Sequence, residues 1–360
     1  MGRSIALVSS RGGVGKSTLA SQLAASYASN HRDITVILID ASLHGDSSAH
    51  LLGGMQEPSA AYPDAKSMAE GVITALPAGK SFYGLLQALN GPAPQPTSSF
   101  GRLWSRAPAP ASQRVNLLEY AAQASETWPS GCAPTNLHVI PGGKNLKSLD
   151  PSTAPALATT LSEVIRAAPS NYLVVFDTDA ELIERTASTI AAVAADRIAI
   201  VASSQWQDFL RIITDPHNSI IDFLNGVASS GRDIRKISHF VFTNLPKTRN
   251  DPSTIHGAPV LPFKPNKQST ENVEQIVSYI YERSSEGPFE PLIVLPNQTR
   301  LDEFANARVS GMLVFPEGVI QIATLKAQPI ATMPASGSTA EALAVCKEAL
   351  TFASDRVLNI

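Results

Sequence analysis

Residues Ser9-Ser10-Arg11-Gly12-Gly13-Val14-Gly15-Lys16-Ser17-Thr18 constrain this chain more than any other stretch. Ile5-Ala6-Leu7-Val8 runs into them as an apolar strand. Leu19 to Tyr27 leaves them with apolar residues at helical spacing. Strand, glycine loop and helix is the context that holds a polyphosphate. The glycines Gly12, Gly13 and Gly15 let consecutive backbone N–H groups of the loop, Val14 included, turn around the phosphates. The helix start at Ser17 and Thr18 adds unpaired donors and a positive dipole end. Lys16 then reaches the β- and γ-phosphates, and Ser17 places its hydroxyl on Mg²⁺.

Two further strands end in acids. Ile34 to Ile39 is apolar at successive positions and closes on Asp40, and Tyr172 to Phe176 closes on Asp177. Such runs predict strands buried on both faces, as in a parallel sheet. Carboxylates at strand ends beside a phosphate loop read as the metal shell, with Asp177 holding Mg²⁺ through water. For Asp40, capping of the following loop is the other reading.

The common phosphate loop opens on a glycine where this chain has Ser10. Arg11-Gly12-Gly13-Val14-Gly15-Lys16-Ser17 instead resembles the deviant Walker A loop of the ParA/MinD ATPases, Lys-Gly-Gly-x-Gly-Lys-Thr or -Ser. The resemblance covers roughly residues 3–55, 136–250 and 290–355. It implies ATP rather than GTP, and a nucleotide-sandwich homodimer. Arg11 stands where the family's signature lysine crosses to the partner's phosphates. Asp40 to Ser48 matches the first switch region, but Ser42 replaces its second acid, the one linked to hydrolysis, and Asp46 replaces its Asn. Slow, differently organised or absent turnover is therefore expected. Asp177-Thr178-Asp179-Ala180 matches the second switch with an extra acid. Asp179 fits two roles: a stand-in for the carboxylate missing at Ser42, or, preferred on sequence alone, the N-cap of the next helix. Asn244, at the end of the predicted strand Ile237–Asn244, matches the family's adenine contact, and an amide can donate to and accept from an adenine edge. Pro296 and Asn297 match the segment whose backbone lines the base pocket.

Net charge is −3 at pH 7 and the chain is 16% charged, so DNA binding needs a local basic patch. Arg235, Lys236, Lys247, Arg249, Lys264 and Lys267 are the candidates. The two cysteines, Cys132 and Cys346, supply no Cys-x-x-Cys site, which argues against the iron–sulfur relatives. No apolar run is long enough to span a bilayer, and the terminal helix predicted over Thr339–Leu358 is a packing face with Leu343, Cys346, Leu350 and Ala353 on one stripe rather than a basic anchor. With a strand directly at the N-terminus, these features predict a reduced, cytoplasmic compartment.

Residues 56–135 fall outside the resemblance. They include a helix predicted over Ser81–Leu89 and Pro/Ser-rich runs around Arg102, Trp104 and Arg106, and read as a surface insertion. The expected architecture is one α/β domain over 1–360, a mostly parallel sheet flanked by helices, a P-loop NTPase of the deviant Walker A type. The expected function is a ParA-like ATPase that dimerises with ATP and Mg²⁺, binds DNA non-specifically, and partitions or positions plasmid, chromosome or other cargo with a ParB-like or other adaptor. The alternative is an ATP-dependent dimeric switch that docks a protein partner without DNA.

Overall fold

The computed structural model describes residues 2–52, 70–71, 73–77, 79–91, 115–124, 133–180, 185–214, 219–229, 237–293, 295, 299–316, 319, 328–334 and 339–359. In chain order the strands are β1 Arg3–Val8, β2 Thr35–Asp40, β3 Ala122–Gln123, β4 Leu137–Ile140, β5 Tyr172–Asp177, β6 Arg197–Ser203, β7 Ile237–Leu245, β8 Lys247–Arg249, β9 Ser253–Ile255, β10 Ala258–Leu261, β11 Lys264–Pro265 and β12 Val309–Leu313. The main helices are α1 Lys16–Asn30, α2 Asp46–Leu52, α3 Phe82–Asn90, α4 Ala154–Ala167, α5 Thr186–Ala194, α6 Trp206–Thr214, α7 Ile220–Ser229, α8 Lys267–Glu286, α9 Leu301–Arg308 and α10 Ala340–Leu358.

Eight strands form one sheet in the order β12-β7-β6-β1-β5-β2-β4-β3. Every pairing in it is parallel except β3 on β4. Its central strands are apolar at every position because both faces are covered: Ile5 to Val8, Val36 to Ile39 and Leu173 to Phe176 are all fully buried. On one face α1 packs against α2 and α10; on the other α4 packs against α3 and α5. The stripe of α10 is buried as the periodicity predicts, and Ser354 of α10 bonds to Ser26 of α1.

Register decides where the chemistry sits. Leu7 of β1 lies opposite Asp177 of β5, and Asp177 lies opposite Asp40 of β2. Both strand-end acids therefore meet beside the loop that leaves β1. Asp196, at the other end of the sheet, accepts from the Ser4 hydroxyl at 2.8 Å and pairs with Arg166.

Within residues 56–135, α3 and β3 pack into the body. The Ser81 hydroxyl accepts from the Gly84 N–H and starts α3, whose Phe82, Leu85 and Leu86 are fully buried. The Phe82 ring lies 6.5 Å from that of Phe176, and β3 extends the sheet. The Pro/Ser-rich runs, with Arg102, Trp104, Arg106 and Cys132, lie outside the described residues.

Candidate nucleotide-binding site

The β1–α1 loop wraps a cavity of about 620 Å³ lined by Ser9 through Thr18 and by both switch regions. Gly13 and Gly15 have φ of +79° and +81°, the left-handed region where a side chain is strained. Around Gly12, Gly13 and Gly15 nothing lies within 4 Å of where a Cβ would stand, so a ligand can approach the backbone closely. No side chain caps α1, which leaves its first N–H groups to face an anion. The Ser10 hydroxyl is buried without a hydrogen-bond partner among the described residues. These features fit a polyphosphate.

Lys16 is 7% exposed, and its ammonium donates to Asp177 at 2.7 Å and to the Thr178 carbonyl. The second Asp177 oxygen accepts from the Ser47 hydroxyl at 2.6 Å. Ser47 also donates to the Ser17 carbonyl, so it ties α2 to both the loop and the acid. Asp40 is fully buried. Its Oδ1 accepts from the Ser42 N–H and hydroxyl, and its Oδ2 from the Ser48 N–H and hydroxyl, at 2.6–3.1 Å. Burial, reinforced by the Asp177 charge, pushes Asp40 up to about 6, against those hydrogen bonds. Asp40 thus caps the first switch, and Ser17, Asp40 and Asp177 carry hard oxygen atoms of the kind Mg²⁺ would take.

Ser42 is spent within the same network: its hydroxyl donates to Asp40 and accepts from the Gly45 N–H. Asp179 joins the two switch regions: its Oδ2 accepts from the Leu43 N–H at 3.2 Å, and its own N–H donates to the Ser188 hydroxyl of α5 at 2.8 Å. Burial raises its pKa, opposed by the Leu43 N–H and by the charges of Lys16, Arg185 and His44.

Sequence reasoning missed Ser47, Ser48, His44, His50 and Arg185. The last three line the cavity, and burial lowers the His50 imidazole. His44, Ser47 and Ser48 lie inside the first-switch stretch but sequence reading gives them no role, while His50 and Arg185 carry no motif signal and reach the cavity only through the fold. Arg11 is half-exposed and its guanidinium pairs with Asp208 of α6. Asp208 is held in turn by the Ser203 hydroxyl at 2.7 Å.

The Thr243 hydroxyl at the end of β7 donates to the Val14 carbonyl at 2.7 Å. Its neighbour Asn244 is exposed, with φ of 56°, and is not among the residues lining the loop cavity. Pro296, Asn297, Arg235 and Lys236 lie outside the described residues. The other candidate cations converge. Lys264 of β11 lies opposite Arg249 of β8, and both line a cleft of about 480 Å³ with Lys267 at the start of α8. Lys267 pairs with Glu271 at 3.5 Å and Lys247 with Asn250 at 2.6 Å. Cys346 is buried in α10, its thiol pushed up to about 11, and no described helix is long and apolar enough to cross a membrane.

A ParA family model, described as NUBPL iron-transfer P-loop NTPase, matches residues 1–74. No curated protein sequence matches the chain. Among solved structures, Cyanothece apo McdA superposes with a TM-score of 0.53 at 14% identity, covering 97% of this chain and 99% of that one. The pNOB8 ParA bound to nonspecific DNA gives 0.52 at 13%, covering 100% and 98%. A chain of the Aquifex aeolicus MinC:MinD cell division protein complex gives 0.50 at 12%, covering 99% and 96%. The resemblance drawn from the phosphate loop therefore extends to the whole architecture: this chain has the P-loop NTPase fold of the ParA/MinD ATPases, and its first 74 residues match the ParA family model.

Proposed function

We propose that the chain is a ParA-like ATPase that binds ATP with Mg²⁺, closes a homodimer, and in that state engages DNA and an adaptor protein to partition or position a cargo. The observation that carries this is the phosphate loop with Lys16 buried against Asp177, beside Asp40 in strand register. A polyphosphate in the loop draws Lys16 toward itself and frees an Asp177 oxygen for the metal's water shell. Asp40 joins that shell, Asn244 and the backbone of Pro296 and Asn297 take the adenine, and Arg11 leaves Asp208 to meet the partner's phosphates. With Ser42 bonded to Asp40, turnover is slow.

DNA engagement is supported by Lys264 and Arg249 facing each other across an antiparallel pair. Like charges so placed repel, and a polyanion relieves the repulsion. Lys247 and Lys267 flank them, and Arg235 and Lys236 extend the proposed patch in sequence. The pNOB8 ParA of similar fold is bound to nonspecific DNA.

A second reading, an ATP-dependent switch that docks a protein without DNA, is favoured by a cleft of about 820 Å³ between the first switch, at Leu43 and His44, and the loop carrying Lys144 and Lys147.

A gel shift with unspecific duplex DNA separates the two. It is run with ADP, ATP and a non-hydrolysable ATP analogue at two salt concentrations, with light scattering on the same samples. ATP-dependent, salt-sensitive binding is expected, and R249E/K264E abolishes it. ATP-dependent dimers that never bind DNA establish the second reading instead.

A further inference from the structure

We propose that Asp179 orients the water that attacks the γ-phosphate, a role that rests on the ATPase reading and specifies its chemistry. Hydrolysis of a phosphoanhydride needs an acceptor that holds water in line with the leaving group. The two fully buried acids at the loop have their oxygens engaged. Asp40 receives four hydrogen bonds from Ser42 and Ser48, and Asp177 receives Lys16 and Ser47. Ser42 offers only a neutral hydroxyl, a weaker acceptor than a carboxylate, and its oxygen already accepts from the Gly45 N–H.

Two carboxylates remain on the cavity wall, Asp46 and Asp179. Asp46 is exposed in the first turn of α2. Asp179 is half-buried and anchored twice: its N–H donates to the Ser188 hydroxyl at 2.8 Å, and its Oδ2 accepts from Leu43 at 3.2 Å. Its Oδ1 has no hydrogen-bond partner among the described residues. A carboxylate fixed on both sides with one oxygen to spare is preorganised to hold a water. The Leu43 contact also joins the two switches, so the water is held only when both are in place.

In the step itself the water oxygen bonds to the γ-phosphorus. The bond from that phosphorus to the β,γ-bridging oxygen breaks, and ADP leaves with the electron pair. The water keeps its hydrogen bond to Asp179 during attack, and both its protons end on the released phosphate, which leaves as dihydrogen phosphate.

The test uses the full chain with Mg²⁺ and ATP, and compares D179N, D179E and D46N with the parent. Fluorescent-ATP titration measures binding, single-turnover hydrolysis measures chemistry, thermal melting measures folding, and light scattering follows the dimer. Asparagine keeps an acceptor for the Leu43 N–H, so D179N should melt like the parent and bind ATP within about twofold. Its hydrolysis should fall on the order of a hundredfold, and its dimer should persist in ATP as it does in the non-hydrolysable analogue. D46N should retain more of the hydrolysis than D179N does, because the Asp46 carboxylate is exposed and is not the one that holds the water. D179N turnover equal to the parent's, or loss in D46N alone, overturns the assignment. So does a parent that binds ATP without hydrolysing it, which leaves nucleotide binding intact. A parent that binds no ATP overturns the ATPase reading as well.

Discussion

Lys16 holds two jobs at one atom. Its ammonium is the proposed phosphate ligand, and it neutralises a fully buried Asp177. Removing one partner of a buried pair leaves an uncompensated charge. Lys16→Ala should therefore abolish nucleotide binding and destabilise the chain by about 3–5 kcal/mol. Titration with fluorescent ATP and chemical denaturation check both, and unchanged ATP affinity removes the loop from its role. His239, at the far end of the sheet, shows the opposite economy. Burial, and then Arg308, Arg356 and Arg197, push its pKa down to about 3 from 6.5. The folded chain refuses a proton that the unfolded chain accepts, so stability is lost as pH falls below 6.5, by up to roughly 1.4 kcal/mol per pH unit. His239→Gln should flatten that slope between pH 4 and 6.5, as followed by urea midpoints across the range.

At the scale of elements, the first switch is a capped turn braced from behind. Gly142, after β4, lies so close that a Cβ there would stand 2.6 Å from the carbonyls of both Asp40 and Ser42. The Gly143 N–H donates to the Ser42 carbonyl at 3.0 Å. Backbone cannot yield as a side chain does, so Gly142→Ala should cost roughly 1–3 kcal/mol by overpacking and weaken ATP binding by displacing Asp40. A thermal melt with and without ATP and Mg²⁺ reads both effects. A variant with parental melting temperature and affinity shows that the brace is dispensable. The Thr243 bond to Val14 braces the phosphate loop from β7 in the same way.

For the molecule as a whole, the Arg11–Asp208 pair places a cation at the mouth of the site under intramolecular restraint. Arg11 is half-exposed and Asp208, though buried, keeps the Ser203 hydroxyl as a second partner, so Arg11 can leave when a second chain offers phosphates. Arg11→Ala is expected to leave ATP binding to the single chain within about twofold while reducing dimer affinity at least tenfold, which is roughly 1.4 kcal/mol. Sedimentation with a non-hydrolysable ATP analogue measures this, and an undiminished dimer takes Arg11 out of the interface.

Much of this was legible in the sequence because it is local. The glycine spacing before Lys16 dictates a left-handed loop, unbroken apolar runs dictate strands buried on both faces, and an acid at a strand end can be read without knowing the neighbouring strand. The stripe Leu343–Cys346–Leu350–Ala353 declared its burial by period alone. Tertiary structure decided what depends on partners distant in the chain. Asp40 and Asp177 are 137 positions apart in numbering and become neighbours only through parallel register. That Asp179 grips Leu43, that Ser47 clamps Asp177, and that Phe82, Leu85 and Leu86 join the core are all set by packing across layers. Hydrogen bonds and desolvation act over a few ångströms of space, and chain order carries no record of which distant segments will come within that range.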